Sequence, residues 1–260
     1  MICWVVKRAL AAGNVSRAIV ATDDERILEA VKSAGYEAVM TRADHRSGTD
    51  RIAEVAASLE EADVIVNVQG DEPLISPLTI ERAVEAMEEP ENWGKGKGER
   101  VTEGIGIVTT WEPMESAADV LNPDVVKVVV DDHDIAIYFS RLPVPCPRNA
   151  VREHGSIEAA LSNEPSLLAG FHKHTGLYVY RRDVLLEFAQ WPQSELERLE
   201  SLEQLRALEH GVKIKAIKAS TSSIGVDTME DLERVRSIVG SDSFEFPVSS
   251  WLERRNRLEP

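Results

Sequence analysis

The first ninety residues alternate short, continuously apolar segments with amphipathic ones, and this alternation constrains the fold most strongly. Apolar segments of strand length occur in RAIVATDD, YEAVMT and DVIVNVQG. Each is followed by a segment with helical spacing: ERILEAVKSAG, SGTDRIAEVAASLE and SPLTIERAVEAMEE, the last with Ser76 as its N-cap. Strands that are apolar at every position are typical of a parallel sheet covered on both faces. The pattern therefore predicts an α/β fold, preceded by a helix that begins near Cys3.

The middle of the chain is richer in strands. Strands are predicted in GIGIVTTW, KHTGLYVYRR and KIKAIKA, and VVKVVVDDHDIAIYFS predicts a hairpin around an Asp-rich turn. PCPRNAVREHGSIEAALSNEPS is interpreted as a long polar connection. ENWGKGKGER is interpreted as a solvated loop, because its glycines lack the strand-to-helix context of a phosphate-binding loop.

Two further helices are predicted near the C-terminus. Leucines recur at helical spacing over residues 196–208, with a Ser194–Glu197 capping box before them and Gly211 after them. This pattern predicts one continuous helix. A final helix is predicted in DTMEDLERVRSIV, where Asp227 lies near the start.

Charge and cysteine content exclude several classes of protein. The chain has 29 Lys and Arg against 45 Asp and Glu, which gives a formal net charge of −16. This charge argues against nucleic acid or an anionic membrane as the main partner. Cys3 and Cys146 form no disulfide or zinc pattern, which fits a reducing cytoplasm. The sequence contains no signal-peptide pattern and no apolar run of about 18 residues, so we expect no membrane span.

Polar residues follow two of the predicted buried strands directly. Thr22, Asp23 and Asp24 come after AIVA, and VIVNV ends at Gln69-Gly70-Asp71-Glu72. Ligands of open α/β sheets bind at the carboxyl ends of strands, and carboxylates there suit Mg²⁺. The alternative is that Asp24 and Asp71 only cap the helices that follow.

Two further segments have the composition of a binding site. DHRSGTDR (44–51) places small donors and a glycine before a helix, where free N–H groups can bind a polar ligand edge or merely form a cap. IGVDT (224–228) places Asp227 after a strand-like segment, as a second metal carboxylate or as an N-cap.

Eight motifs together resemble a known family. In chain order they are ATDDERI, MTRADHRSGTDRIAE, VNVQGDEPLI, NPDVVKVV, YFSR, HTGLYVYRRD, LERLESLEQLRALEHG and GVDTMEDLERVR. The set resembles the 3-deoxy-manno-octulosonate cytidylyltransferases, over roughly residues 1–239. The resemblance implies a three-layer, Rossmann-like α/β nucleotidyltransferase fold (GT-A-like), with a mixed sheet and a smaller strand-rich region for sugar binding and dimerisation. It also implies one domain over residues 1–240, divided into 1–90 (nucleotide), 104–218 (sugar and dimer) and 219–240 (metal), with a tail at 241–260.

The family couples CTP to 3-deoxy-manno-octulosonate (KDO) with Mg²⁺, giving CMP-KDO and pyrophosphate for lipopolysaccharide synthesis. The resemblance implies that Asp71 and Asp227 bind the metal and that Gln69 lies beside it. It implies that Arg141 binds the KDO carboxylate, with a surface ion pair as the alternative. The nucleotide contacts it implies are Thr22, Asp23, Ser47, Gly48 and Thr49. The sugar contacts it implies are His174, Tyr178, Glu203 and Gln204, although Tyr178 is also compatible with a core position.

The chain departs from the family pattern at its beginning. The family starts with a strand and a loop of the form IPARxxSxRxPGKPL that holds the triphosphate, and this chain starts at the end of that pattern. Either the start site is assigned too late, or the protein is truncated and weakly active or inactive.

Three functions therefore remain open from the sequence. One is the KDO cytidylyltransferase, one is an enzyme for another acidic sugar, and one is a non-catalytic nucleotide or sugar binder. A cytoplasmic homodimer is expected from the resemblance.

Overall fold

The computed structural model describes residues 1–88, 104–226 and 228–239. The loop ENWGKGKGER, Asp227 and the tail at 241–260 lie outside the described residues. The chain divides into two compact units. The first contains Met1–Glu85 with the described residues from Ser220 on, and the second contains Ala86–Ala219.

The first part of the chain alternates helices and strands as the apolar pattern predicts. Its elements are α1 (Ile2–Leu10), β1 (Ile19–Thr22), α2 (Glu25–Ser33), β2 (Glu37–Met40), α3 (Gly48–Ala57), β3 (Val64–Asn67) and α4 (Pro77–Glu88). The last described helix of the chain, α11 (Met229–Val239), also belongs to the first unit.

Strands β1 and β2 pair in parallel, as predicted, with Ile19 opposite Glu37 and Thr22 opposite Met40. The prediction that such strands are covered on both faces is wrong for β2. Only Ala38 of this strand is buried, whereas Met40 is 40% exposed. The reason is that one face of the pair packs into a core cluster with Val6, Val20 and Val31 of α1, β1 and α2.

The second unit is built around a mixed sheet. Its elements are β4 (Ile105–Pro113), α5 (Ala117–Leu121), β5 (Lys127–Val130), β6 (Ala136–Ser140), α6 (Arg148–His154), α7 (Ile157–Asn163), a 3₁₀ helix (Pro165–Gly170), β7 (His172–Arg181), α8 (Arg182–Phe188), α9 (Glu195–Glu200), α10 (Gln204–Glu209) and β8 (Lys213–Lys218). The strand order is β6-β5-β7-β4-β8. β4 is antiparallel to β7 and parallel to β8, and β5 pairs with β6 in the predicted hairpin.

The predicted polar connection after β6 is wrong, since it contains α6, α7 and the 3₁₀ helix. Gly155 ends α6 with φ of 90°, and the Ser156 side chain caps α7 by accepting from the Ala159 N–H. Leu161 of α7 packs into a core cluster with Phe171. Local capping and the burial of apolar side chains in this cluster therefore outweigh the polar composition of the segment.

The predicted single helix over residues 196–208 is also wrong. It is broken into α9 and α10 at Ser201, whose φ of 53° is left-handed. Because an α-helix has about 3.6 residues per turn, leucines spaced by three drift about 60° around it per step and cannot form one stripe. Accordingly Leu199 is 74% exposed, whereas Leu205 is fully buried. The capping box of Ser194 and Glu197 is confirmed.

No helix among the described residues is both long and apolar enough to cross a membrane.

Candidate active site

The carboxyl end of β1 carries two residues predicted to contact the nucleotide. Thr22 is buried, and its hydroxyl accepts from the Asp24 N–H at 3.1 Å. Asp23 forms an ion pair with Arg51 of α3 at 3.0 Å. The hydrogen bond from Arg51 lowers the pKa of Asp23, so this carboxylate is ionised at neutral pH. Arg51 also donates to the Thr41 hydroxyl at 2.6 Å, which ties the end of β2 to α3.

Asp24 is a capping residue. Its carboxylate accepts from the Arg26 backbone N–H at 2.8 Å and from the Arg26 guanidinium. The side-chain hydrogen bond from Arg26, followed by the backbone bond, lowers the pKa of Asp24 to about 2. The capping alternative is therefore confirmed at this position.

Ser47, Gly48 and Thr49 form the start of α3. The Ser47 hydroxyl caps the helix by accepting from the Asp50 N–H at 3.2 Å, and Thr49 is buried. Gly48 is exposed, and a Cβ added to it meets no atom within 4 Å. The first-turn N–H groups of a helix have no partner within it, so this start can offer donors to a ligand. The role of these residues in nucleotide binding stays a prediction.

Asp71 differs from Asp24, because it caps no helix. The hydroxyl that accepts from the first turn of α4 belongs to Ser76, which receives the Thr79 N–H at 3.4 Å. The capping alternative is therefore wrong for Asp71. Its carboxylate is half-buried and has no hydrogen bond or ion pair within residues 1–88, 104–226 and 228–239. Gln69, two residues before it, is exposed.

The loop after β3 is fastened to the segment 220–226. The Ser220 hydroxyl lies 2.6 Å from the Thr79 hydroxyl, and the Ser223 hydroxyl donates to the Glu72 carboxylate. The Val226 N–H donates to the Asp71 carbonyl oxygen at 2.9 Å. The predicted metal ligand Asp227 comes next in the sequence but lies outside the described residues.

The second unit places His174 and Tyr178 on the irregular part of β7. The two rings lie 5.4 Å apart, and the Phe139 ring contacts His174 edge-on at 5.1 Å. Burial lowers the pKa of His174 to about 3, which makes the imidazole neutral. Burial, followed by the charges of Tyr180 and Glu203, raises the pKa of Tyr178 well above 10, so its hydroxyl keeps its proton.

Glu203 and Gln204 lie at the break between α9 and α10. Glu203 is half-buried, and its charge acts on Tyr178, so the carboxylate belongs to the same neighbourhood as the two rings. Gln204 is only 6% exposed. Its amide has no hydrogen-bond partner in the part of the chain that the structure describes. His174, Tyr178 and Glu203 are thus brought together by the fold of the second unit.

The contacts of Arg141 differ from those expected under either sequence interpretation. Its guanidinium donates to the carbonyl oxygens of Glu200 at 2.7 Å, Pro123 at 3.0 Å and Ser201 at 3.4 Å. Three of its five N–H groups are therefore directed at backbone, and the other two have no partner among the described residues. The surface ion-pair alternative is not seen among the described residues, and binding of a sugar carboxylate stays a prediction.

Sequence reasoning missed Lys127 and Glu200. Lys127 is completely buried, and its ammonium donates to the carbonyl oxygens of Asn122, Val125 and Arg141 at 2.7, 2.7 and 2.9 Å. The Glu200 carboxylate accepts from the Ser140 hydroxyl and the Arg141 N–H. A single lysine inside the β-branched run VVKVVV was the available signal, because a charged residue there needs buried partners.

A different trio of possible metal ligands lies in the second unit. Within the described ranges, Glu153, His154 and Glu164 are the one group of three whose ligand atoms all lie within 4.8 Å of one another. We assign no ion to it, because a 2.9 Å hydrogen bond between His154 and Glu164 accounts for their proximity and Glu153 is exposed.

Comparisons with known proteins agree on one family. The cytidylyltransferase family model matches residues 1–214. The chain is 45% identical to a 3-deoxy-manno-octulosonate cytidylyltransferase of Syntrophotalea carbinolica, covering 91% of this chain and 87% of the relative. It is 47% identical to the protein of the same name from Geotalea uraniireducens, covering 90% and 86%.

Solved structures extend the comparison. A CMP:2-keto-3-deoxy-manno-octonic acid synthetase in complex with CTP matches with a TM-score of 0.76 at 39% identity, covering 92% of this chain and 86% of that one. A 4-diphosphocytidyl-2C-methyl-D-erythritol synthase from Anaerococcus prevotii matches with a TM-score of 0.52 at 11% identity, which shows a shared fold alone. The fold is the Rossmann-like nucleotidyltransferase fold, and the chain belongs to the 3-deoxy-manno-octulosonate cytidylyltransferase family.

Proposed function

We propose that this protein is a cytidylyltransferase that joins CTP and KDO to give CMP-KDO and pyrophosphate, the activated sugar for lipopolysaccharide synthesis. The observation that carries the proposal is 45% identity over 91% of the chain to a relative of that name. The reaction is an attack of the sugar 2-hydroxyl on the α-phosphorus, with pyrophosphate as the leaving group.

The residues of the first unit are assigned to the nucleotide. Thr22, Asp23 and the start of α3 bind the cytidine part, where Arg51 keeps Asp23 ionised and oriented. An ionised carboxylate accepts hydrogen bonds and therefore suits the amino group and hydroxyls of a nucleoside. Gln69 is exposed and can reach a nucleotide or sugar oxygen.

Asp71 fits a magnesium site. A half-buried carboxylate without a protein partner among the described residues is electrostatically costly, and an oxygen-seeking cation relieves that cost. We assign Mg²⁺ to Asp71 and Asp227. When bound, the ion stabilises negative charge on the triphosphate and makes the sugar hydroxyl a better nucleophile.

The residues of the second unit are assigned to the sugar. Neutral His174, protonated Tyr178, Glu203 and Gln204 present donors and acceptors suited to a polyol. The two remaining N–H groups of Arg141 are assigned to the KDO carboxylate. Tyr178 and Gln204 have no protein hydrogen bond within the described ranges, which supports a ligand as their partner.

We also propose that the protein is a cytoplasmic homodimer that pairs through the second unit. Strand β6 ends the strand order there, and Ile137 on it is 60% exposed. An apolar side chain on an edge strand is suited to a protein contact. The substitution Ile137→Asp should convert the dimer to a monomer in light scattering, and an unchanged mass would refute this contact. The free thiols of Cys3 and Cys146 are compatible with a reducing cytoplasm.

The activity is tested by measuring pyrophosphate release by the protein purified from its native source, in the presence of CTP and Mg²⁺. Three conditions are compared: KDO, sialic acid and no sugar. Release that depends on KDO supports the proposal. Release with sialic acid alone would assign another acidic sugar. Binding of CTP with no release under any condition would make the protein a non-catalytic binder.

A further inference from the structure

The hydroxyl of Thr109 contacts His174, one of the residues assigned to the sugar. Thr109 is completely buried on β4. Its Oγ1 is 2.8 Å from the Leu177 carbonyl oxygen, 3.4 Å from the Thr175 carbonyl oxygen and 2.9 Å from His174 Nε2. A threonine hydroxyl has one proton, so it can donate to only one of these three atoms.

The irregular register of β7 decides where that proton lies. Thr109 is opposite Tyr178 and Thr110 is opposite Thr175, so Gly176 and Leu177 form a bulge with no opposite residue. The Leu177 carbonyl oxygen lies in this bulge, and the Thr109 hydroxyl donates to it at 2.8 Å. The carbonyl can only accept, whereas Nε2 of His174 can donate, so both contacts are hydrogen bonds only when the Thr109 proton is directed at Leu177 and its oxygen accepts from His174 Nε2–H.

The His174 ring is also held in place by packing and backbone. The backbone N–H of His174 donates to the Val126 carbonyl oxygen at 2.8 Å, which fixes the backbone at this residue. Phe139 and Tyr178 both pack against the ring, at centroid distances of 5.1 and 5.4 Å. The ring therefore keeps Nε2 within hydrogen-bond distance of Thr109 Oγ1.

The tautomer of His174 follows from these contacts. A neutral imidazole with its proton on Nε2 has a lone pair on Nδ1. His174 is neutral because burial holds its pKa near 3. Within the described ranges, Nδ1 has no hydrogen-bond partner. The chain therefore presents an acceptor at this atom.

We propose that Thr109 is a positioning residue that fixes the Nε2–H tautomer of His174, so that Nδ1 accepts a hydrogen bond from a hydroxyl of the sugar substrate. The inference rests on the proposed function, since it needs His174 to contact the sugar. With this tautomer, His174 favours a sugar that has a hydroxyl donor next to Nδ1. A deoxy analogue that lacks this hydroxyl binds less well, because Nδ1 is left without a donor.

The test compares Thr109→Val, which keeps the shape and removes the hydroxyl, with Thr109→Ser, which keeps the hydroxyl. Thr110→Val is the matched control, because Thr110 is equally buried on the same strand and its hydroxyl bonds to the Thr175 hydroxyl at 2.5 Å, not to His174. Two readouts are taken: the ¹⁵N NMR signals of His174, assigned by loss in His174→Ala, and the KM values for KDO and CTP.

We expect the wild type, Thr109→Ser and Thr110→Val to show a protonated Nε2 and an unprotonated Nδ1. Thr109→Val should lose that signature and raise the KM for KDO by about tenfold, with the KM for CTP unchanged.

A wild-type signal with the proton on Nδ1 overturns the inference, and it does so even if Thr109→Val fails to fold. A Thr109→Val protein with the wild-type tautomer and KM overturns it as well. If the wild type shows the expected tautomer but does not consume KDO, the proposed function fails, and the substrate part of this inference fails with it.

Discussion

Arg206 and Glu197 form a buried, two-point ion pair that joins α10 to α9 across the helix break. Nη2 of Arg206 lies 2.5 Å from Oε1 of Glu197, and Nε lies 2.7 Å from Oε2. The two side chains are 5% and 3% exposed. The guanidinium also lies over the Phe188 ring at 4.4 Å and donates to the Trp191 carbonyl oxygen. The pair thereby helps to hold the helix break at which Glu203 and Gln204 lie.

Removing one partner of this pair should destabilise the protein strongly. Arg206→Met leaves a buried carboxylate without its cation, and we expect the free energy of unfolding to fall by about 3–5 kcal/mol. The double variant Glu197→Leu with Arg206→Met should recover most of that loss, because no buried charge remains. Urea denaturation measures both. Arg17→Met is the control, since the Arg17–Glu37 pair is exposed and should matter little. Equal losses in the single and double variants would contradict the prediction.

The same pair predicts how stability depends on pH. Burial acts to raise the pKa of Glu197, but the hydrogen bonds from Arg206 and from the Ser194 backbone outweigh it, so the pKa lies below its ordinary 4.5. A depressed pKa in the folded state means that the contribution is fully present above the unfolded-state value and is lost as pH falls through the folded-state value. Between neutral pH and acid below 4.5, the wild type should therefore lose more unfolding free energy than Glu197→Gln. Parallel curves in urea titrations at several pH values would refute this.

Asp71 and Asp24 both follow a strand, but their substitution should have different effects. Asp71→Asn removes the charge of the proposed metal carboxylate and should lower the rate of pyrophosphate release by about a thousandfold. It should leave the urea midpoint unchanged or higher, because the carboxylate has no hydrogen bond among the described residues to lose. Asp24→Asn is the matched control, since asparagine caps helices as well as aspartate does. Comparable activity of the two variants would exclude Asp71 from the metal site.

Lys127 should contribute to the stability of the fold and not to catalysis. Lys127→Met removes a completely buried ammonium that donates to three carbonyl oxygens, so we expect a loss of about 2–4 kcal/mol in unfolding free energy. Lys213→Met, at an exposed position on β8, should cost little. Calorimetric melting of both variants measures the difference. Similar melting temperatures would show that water can replace the ammonium at these carbonyls.

In contrast to Lys127, Gln204 should matter for sugar binding and not for the stability of the fold. The residue is only 6% exposed and its amide has no protein partner among the described residues, so Gln204→Leu should keep or raise the free energy of unfolding. The same substitution should raise the KM for KDO by about tenfold, because it removes a hydrogen bond to the sugar. The exposed Gln190→Leu serves as the control. A destabilised Gln204→Leu with normal KM would mean that the amide has a structural role.

Much of the local structure was predictable because its causes are local. The caps at Ser47 and Ser194 act within three residues, and the hairpin of β5 and β6 follows from one turn. The place of the helix break was not predictable from the leucine spacing, because the break is stabilised by Arg206 and Glu197, nine residues apart. Residues assigned to the site came from motif resemblance, and their roles stay predictions until they are tested.

The sequence by itself determined the alternation of helices and strands in the first ninety residues, the acidic balance of the chain and the family, because these depend on composition, spacing and short motifs. Only the tertiary structure decided which polar side chains already have hydrogen-bond partners within the protein. It directs Arg141 at three carbonyl oxygens, leaves the Asp71 carboxylate without a partner among the described residues and joins Thr109 to His174 across 65 positions of sequence. The physical reason is that burial and hydrogen bonding depend on neighbours that are distant in the chain, which no local pattern encodes.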